Sequence, residues 1–290
     1  MFEPGTLWTK TLDATEKALK TGALRPVSTE STFIYDSGID FLVRIVSNLT
    51  RKAEEKKEAG NPFLPYEKDM FVAEISETHI CLLNKFNVID HHLLIVTRSF
   101  EDQETLLTLR DFDAICLCMA EYDGMAFYNG GEIAGASQQH KHLQIIPLPM
   151  ANKGPRVPIE PLFKSVRPEG TLGIIPGIPF IHSFARFVPD LLENSEDAAE
   201  SSLGLYRAML HAVGLNSPTD PYESRQSGPY NLLLTREWML LVPRSEECFE
   251  SISINALGFA GALLVKNEEQ MRILKQVGGM AVLKSTGVKR

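Results

Sequence analysis

Hydrophobic positions along the chain change their period several times, and each change marks an element. In residues 7–20, Leu7, Trp8, Leu12 and Leu19 stand among charged residues in the manner of an amphipathic helix. Over residues 37–48 the spacing becomes an alternation of Ile39, Phe41, Val43 and Ile45, which predicts a strand. The mixed-charge run from Arg51 and Lys52 to Glu58 predicts a solvated helix or loop, broken by Asn61-Pro62 and Pro65. Short β-rich runs follow at 71–75, 80–83 and 93–97. Thr108 with Asp111 three residues on forms a capping-box pattern that opens a helix whose apolar face is Phe112, Ile115, Cys116 and Met119. A strand through Met125 and Phe127 then runs into the turn Asn129-Gly130-Gly131, and a further strand is predicted at 141–146.

Beyond residue 147 the proline- and glycine-rich segment to 181 reads as a long ordered connection, after which His182 opens a strand reaching Phe187 and is expected to be bonded structurally. A helix is predicted at 195–213, adjoining strands at 230–235 and 238–242, and a last helix that is capped by Asn267 with Gln270 and stops at Gly278-Gly279. Leu94-Ile95-Val96-Thr97-Arg98-Ser99 matches Leu240-Leu241-Val242-Pro243-Arg244-Ser245 at Leu, Val, Arg and Ser, each time closing a strand–turn–strand unit. The match suggests two related halves, residues 1–150 and 151–290, of which only the first keeps a histidine motif.

Composition narrows the classes. With 290 residues, 44% hydrophobic and 23% charged, the chain can bury a sizeable core. Its formal charge of −8 argues against nucleic acid as partner, so any phosphate-rich ligand must meet positive charge locally. The four cysteines Cys81, Cys116, Cys118 and Cys248 form no Cys-x-x-Cys pair and no framework spacing, which indicates neither zinc nor disulfides and fits a reducing compartment. No basic n-region with an apolar run, and no run of about 18 apolar residues, signals export or membrane spanning. A cytoplasmic protein with no membrane partner is the expectation.

The chemistry concentrates at Gly135-Ala136-Ser137-Gln138-Gln139-His140-Lys141-His142-Leu143-Gln144. Strand alternation projects His140, His142 and Gln144 on one face and Lys141, Leu143 and Ile145 on the other. A neutral imidazole can attack phosphorus when its second nitrogen donates a hydrogen bond that fixes the tautomer, and His142, flanked on both sides of that face, is the better candidate. His140 would orient a neighbouring group, and the Gln144 amide would hold a phosphoryl oxygen without titrating. Small residues upstream let backbone N–H groups approach an anion. The same His-x-His spacing also serves metal pairs; Gln144, a poor ligand, and the lack of a nearby carboxylate weigh against that use.

The string at 135–144, preceded by Asn129-Gly130-Gly131, closely resembles the signature of the diadenosine tetraphosphate (Ap4A) phosphorylases, or ATP adenylyltransferases. These belong to the histidine-triad superfamily, in a branch related to galactose-1-phosphate uridylyltransferase. The resemblance runs from about residue 84 to residue 266. It implies an α+β, HIT-like, duplicated fold, a mostly antiparallel sheet with flanking helices, in which the second half completes the sheet and the nucleotide site. It implies catalytic roles for His142, His140 and Gln144. It implies substrate contacts from Asn84 and Lys85 in the string Leu83-Asn84-Lys85-Phe86, from Asn129, Gly135, Ala136, Ser137 and Gln138, and, from the second half, Asn231. The string Ser253 to Gly261 resembles a nucleotide-contacting segment, and a basic residue near Arg51 or Lys52 would reach phosphate. The implied ligands are Ap4A, ATP, ADP and phosphate, with no metal held by the protein, no essential cofactor and Mg²⁺ arriving at most with substrate. The implied reaction is phosphorolysis through an adenylyl-histidine. Alternatives are a nucleotide-sugar uridylyltransferase, a metal-dependent hydrolase using His140 and His142 as ligands, and a nucleotide sensor without turnover.

Overall fold

In the computed structural model, residues 2–46, 60–166, 172–187, 195–215 and 224–290 are described; Arg51 and Lys52 lie outside them. The N-terminal helix α1 (Leu7–Thr21) ends at Gly22 in the left-handed region. Strands β1 (Thr29–Asp36), β2 (Ile39–Val46), β3 (Phe71–Glu74), β4 (His79–Leu83) and β5 (Leu93–Thr97) follow. Helix α2 (Leu109–Glu121) starts where the Thr108 N–H donates to Asp111 at 2.7 Å. Strands β6 (Gly124–Gly130) and β7 (His142–Pro147) come next, then β8 (Ser183–Arg186), helix α3 (Ser195–Ala212), β9 (Tyr230–Leu234) and β10 (Trp238–Pro243). The chain closes with β11 (Cys248–Phe249), β12 (Ile252–Ser253), α4 (Ala256–Phe259), β13 (Ala262–Val265), α5 (Glu268–Val277) and α6 (Gly279–Thr286).

The short elements β11 to β13 and α4 have no counterpart in the sequence expectation, and two longer ones depart from it. β1 is mostly exposed and its apolar residues Phe33, Ile34 and Tyr35 fall in a row, so it shows no apolar alternation, and its pairing with β2 supplies its order. After α5 stops at Gly278, whose φ of 85° turns the chain, a second helix resumes at once instead of ending the structure.

The large sheet has eight strands in the order β3-β4-β5-β7-β6-β9-β10-β8, with antiparallel pairs throughout. Strands from both halves of the chain therefore form one ladder. A three-stranded sheet, β1-β2-β13, joins the early hairpin to a parallel strand from the far end of the chain.

Strand alternation sorts side chains between the two faces of the large sheet. On one face Ile95, Ala126, Leu143, Ile145 and Leu241 pack with α1, α2 and α3 in one core. The other face is covered in two pieces. One core, with Met125, Phe127, Ile146, Leu233 and Leu240, meets the small sheet and α4 to α6. A smaller cluster of Phe63, Ile80, Leu82, Leu94 and Val96 covers β4 and β5. The seam between them falls on β7, where His142 and Gln144 project.

Candidate active site

β7 lies fourth in the sheet, and its register places His142 opposite Val96 and Gln144 opposite Leu94 and Phe127. Both polar side chains are buried in the seam. The His142 Nδ1–H donates to the His140 carbonyl at 2.8 Å, which leaves Nε2 with its lone pair and no protein partner among the described residues. Burial, against the stabilising bond from the His140 backbone, pushes the imidazole pKa down to about 4. His142 is therefore neutral at pH 7, the state a nucleophile requires.

His140 meets His142 through its backbone carbonyl, and its ring is bonded elsewhere. Its Nε2–H donates to the Thr97 carbonyl at 2.8 Å, with Thr97 Oγ1 at 2.9 Å, and its Nδ1 accepts from Asn61 at 2.8 Å. Phe63 and Phe100 stand edge-on to the ring. Both nitrogens being spent on protein, His140 has no lone pair to offer a cation, and among the described residues no three His, Cys, Asp or Glu side chains converge as a metal site would need.

Gln144 is set by a residue the sequence reading passed over. His92 Nε2–H donates to Gln144 Oε1 at 2.9 Å, while His92 Nδ1 accepts from Asn84 at 3.2 Å. This relay fixes the amide so that its NH₂ faces away as a donor. His92, buried, is likewise pushed down to about 4 by desolvation. Its signal was parity: His92 shares a face with Leu94 and Val96, hence with Gln144 and His142.

The remaining candidates divide. Asn84 holds His92 and caps the turn at Phe86, and Lys85 pairs with Glu67 at 3.1 Å at the rim. Asn129 and Asn231 are brought together under the site: Asn231 donates to Asn129 at 2.9 Å and to the Ala134 carbonyl at 2.8 Å, while Asn129 also accepts the Ala256 N–H at 3.0 Å. Asn231 and the Asn129 oxygen thus join α4 to the glycine loop, while the Asn129 NH₂ makes no hydrogen bond among the described residues. Gly135 and Ala136 also depart from the expected anion cradle, because their N–H groups close a tight turn on the Glu132 and Gly131 carbonyls at 2.8 and 3.1 Å. Gly135, at φ 91°, lies where a Cβ would come within 2.8 Å of Asn255. The amides of Ser137 and Gln138 stay unbonded among the described residues, with Ser137 exposed, so the available cradle narrows to the second half of the expected stretch.

Arg244, seen in the sequence only as part of the internal match, is buried without a carboxylate partner among the described residues and donates to Asn231 at 2.6 Å and to the carbonyls of Ala134, Ile254, Thr286, Glu246 and Glu247. On the opposite face of β7, Lys141 is fully buried and bonds Asp111 at 2.8 Å. Burial works to raise the Asp111 pKa, but the His79 hydrogen bond and the Lys141 charge prevail and hold it at about 2.

The two depressed histidines make a pH prediction. A base whose folded pKa is about 4 against an unfolded 6.5 gives stability that is complete above pH 6.5 and lost as pH falls toward 4, up to about 3 kcal/mol for each. Urea midpoints measured at pH 7.5, 6 and 5 are expected to fall steadily; equal midpoints would contradict neutral burial.

A neutral, tautomer-locked histidine beside a glycine turn with open amides, set in an antiparallel sheet flanked by helices, fits a nucleotidyltransferase. Residues 1–165 match the family model of the Ap4A phosphorylase N-terminal domain and residues 176–289 that of the ATP adenylyltransferase C-terminal domain, and the chain belongs to this Ap4A phosphorylase family. It is 30% identical over 286 residues to diadenosine 5',5'''-P1,P4-tetraphosphate phosphorylase 2 of Saccharomyces cerevisiae, covering 89% of this chain and 87% of the relative. It is 28% identical over 291 residues to Protein APA1 of the same yeast, covering 89% and 86%. The crystal structure of yeast Ap4A phosphorylase Apa2 shares the fold with a TM-score of 0.81 at 24% identity, covering 100% of this chain and 99% of that one. Its complex with Ap4A gives 0.77.

Proposed function

We propose that this chain cleaves Ap4A with inorganic phosphate to give ATP and ADP, reversibly, through a covalent adenylyl-histidine at His142. The observation that carries the chemistry is the free Nε2 of an imidazole whose Nδ1–H is locked on the His140 carbonyl. Nε2 attacks the α-phosphorus of one adenosine; a P–N bond forms, the P–O bond to the other three phosphates breaks, and ATP departs. The ring then carries positive charge, which strengthens its donation to His140. Phosphate oxygen attacks the same phosphorus, the P–N bond breaks, ADP leaves and the neutral ring returns. The Gln144 NH₂ and the Ser137 and Gln138 amides hold phosphoryl oxygens, and Lys85 supplies charge at the rim. Asn84, Asn129, Asn231, Gly135 and Ala136 serve by shaping these donors. No resident cofactor enters, and Mg²⁺ accompanies the polyphosphate as part of the substrate. Among the described residues no helix is long and apolar enough to cross a membrane; the cytoplasmic location proposed here is supported by the cysteine usage of the sequence.

Incubation with Ap4A, with and without phosphate, followed by nucleotide analysis is the direct test. ATP and ADP in equal amounts, dependent on phosphate, is the expected result; two ADP per Ap4A would overturn it. Gln144→His places an imidazole where the amide offers no base, and the ratio of AMP to ADP released is expected to rise by about tenfold or more. An unchanged ratio would show that the lack of a base at position 144 is not what keeps water from the adenylyl-histidine.

A further inference from the structure

The ladder between β6 and β7 stops at Phe127 opposite Gln144, just before the strands reach the catalytic histidine. The gap is filled by one side chain from the connection between β5 and α2. Gln103 Oε1 accepts the His142 N–H at 2.9 Å, and its Nε2 donates to the Asn129 carbonyl at 2.9 Å and to the His142 carbonyl at 3.2 Å. Gln103 is 2% exposed. It thus replaces the missing strand rung and binds both backbone groups of His142 with a single amide.

Gln103 is itself held from three sides. Its N–H donates to the Gln139 carbonyl at 2.7 Å, and its carbonyl accepts the buried Tyr128 hydroxyl. On the far face Lys141 reaches Glu101 at 3.2 Å and the Leu106 carbonyl at 3.1 Å, so the segment on either side of Gln103 is tied to the residue between the two histidines. Three bonds from one side chain at a break in the sheet exceed what closing a loop requires, and two of the three converge on His142.

We infer that Gln103 is a positioning residue for His142, fixing its backbone so that Nδ1 stays within donating distance of the His140 carbonyl and Nε2 remains the nucleophile. It also keeps β6 and β7 apart where the glycine loop must open. A displacement of about 1 Å in a reacting group costs on the order of a hundredfold in rate. The consequence for rate rests on the adenylyl-histidine reading; the consequence for the imidazole does not.

The test is Gln103→Met, which keeps the length of the side chain and removes its three bonds. Adenylyl-enzyme formation from α-labelled Ap4A, measured in a single turnover per titrated site, is expected to fall about 10- to 100-fold with KM within about twofold of wild type. Nitrogen-15 spectra of the histidines are expected to show His142 losing its single Nδ1–H tautomer. An unchanged rate per site with an unchanged tautomer, including the case where only the yield of folded protein drops, would overturn the inference. If wild type itself traps no label, the covalent reading fails, and the tautomer alone still decides for or against Gln103. Should Gln103→Met not fold, Tyr128→Phe, which frees the Gln103 carbonyl, is expected to move both readouts in the same direction, and no movement would overturn the proposal.

Discussion

His142→Ala will abolish phosphorolysis, with kcat falling by about 10⁵-fold or more, the scale seen when the nucleophile of a two-step transfer enzyme is removed. No label from α-labelled Ap4A will remain on the protein. The loss will not come from unfolding. The wild-type ring makes one hydrogen bond, to the His140 carbonyl, and its burial already disfavours it below pH 6.5, so the variant should melt within a few degrees of wild type at neutral pH and resist acid better. Activity in this variant above about a thousandth of wild type would transfer the chemistry elsewhere, since His140, with both ring nitrogens occupied, cannot substitute.

Arg244→Met will give the largest loss of stability, about 4 kcal/mol, read as a fall of roughly 7 °C in Tm. The guanidinium stands over the Phe259 ring at 5.2 Å and is shared among six acceptors from four segments, and desolvation has lowered its pKa to about 10. Methionine fills much of the volume but leaves buried carbonyls without donors, the costly side of a broken hydrogen bond. The Ala134 carbonyl and Asn231 lose a tether together, so the glycine loop should loosen and KM for Ap4A rise. Arg98, which occupies the matching place in the first half, is exposed and paired with Glu74, and Arg98→Met should cost less than about 1 kcal/mol. Equal losses at the two arginines would show that burial is not what makes Arg244 matter.

That contrast marks what could be read from the chain beforehand. The repeated Leu-x-Val-x-Arg-Ser string was visible, yet nothing in it distinguishes a solvated arginine from one enclosed by carbonyls, because acceptors contributed by the backbone carry no residue signature. The helices and strands with a clear apolar period fell close to their predicted places, and β1, whose order comes from its neighbour, did not declare itself. His142 and Gln144 were legible because alternation on one strand is a local rule. Their supports were not: His92 and Thr97 act across a strand pairing, and Gln103 reaches from a loop into a break in another, neither of which the sequence states. Asn129 and Asn231 illustrate the converse. Polar residues beside a glycine turn invite a ligand, but register opposes them to each other, and Asn231 and the Asn129 oxygen bond each other and α4, leaving the Asn129 NH₂ as the donor without a partner among the described residues.

The parallel pairing of β13 with β2 ties residues 39–46 to residues 262–265, and α6 adds a second tie through the Met280 N–H donating to Asp36 at 2.9 Å. During synthesis, then, the ribosome must deliver nearly the whole polypeptide before the early hairpin acquires its third strand. A half-made chain holding the complete histidine motif would still lack the three strands β8 to β10 from the large sheet. Fragments cut at the 165–176 junction should for the same reason behave as partners awaiting each other, not as two small proteins.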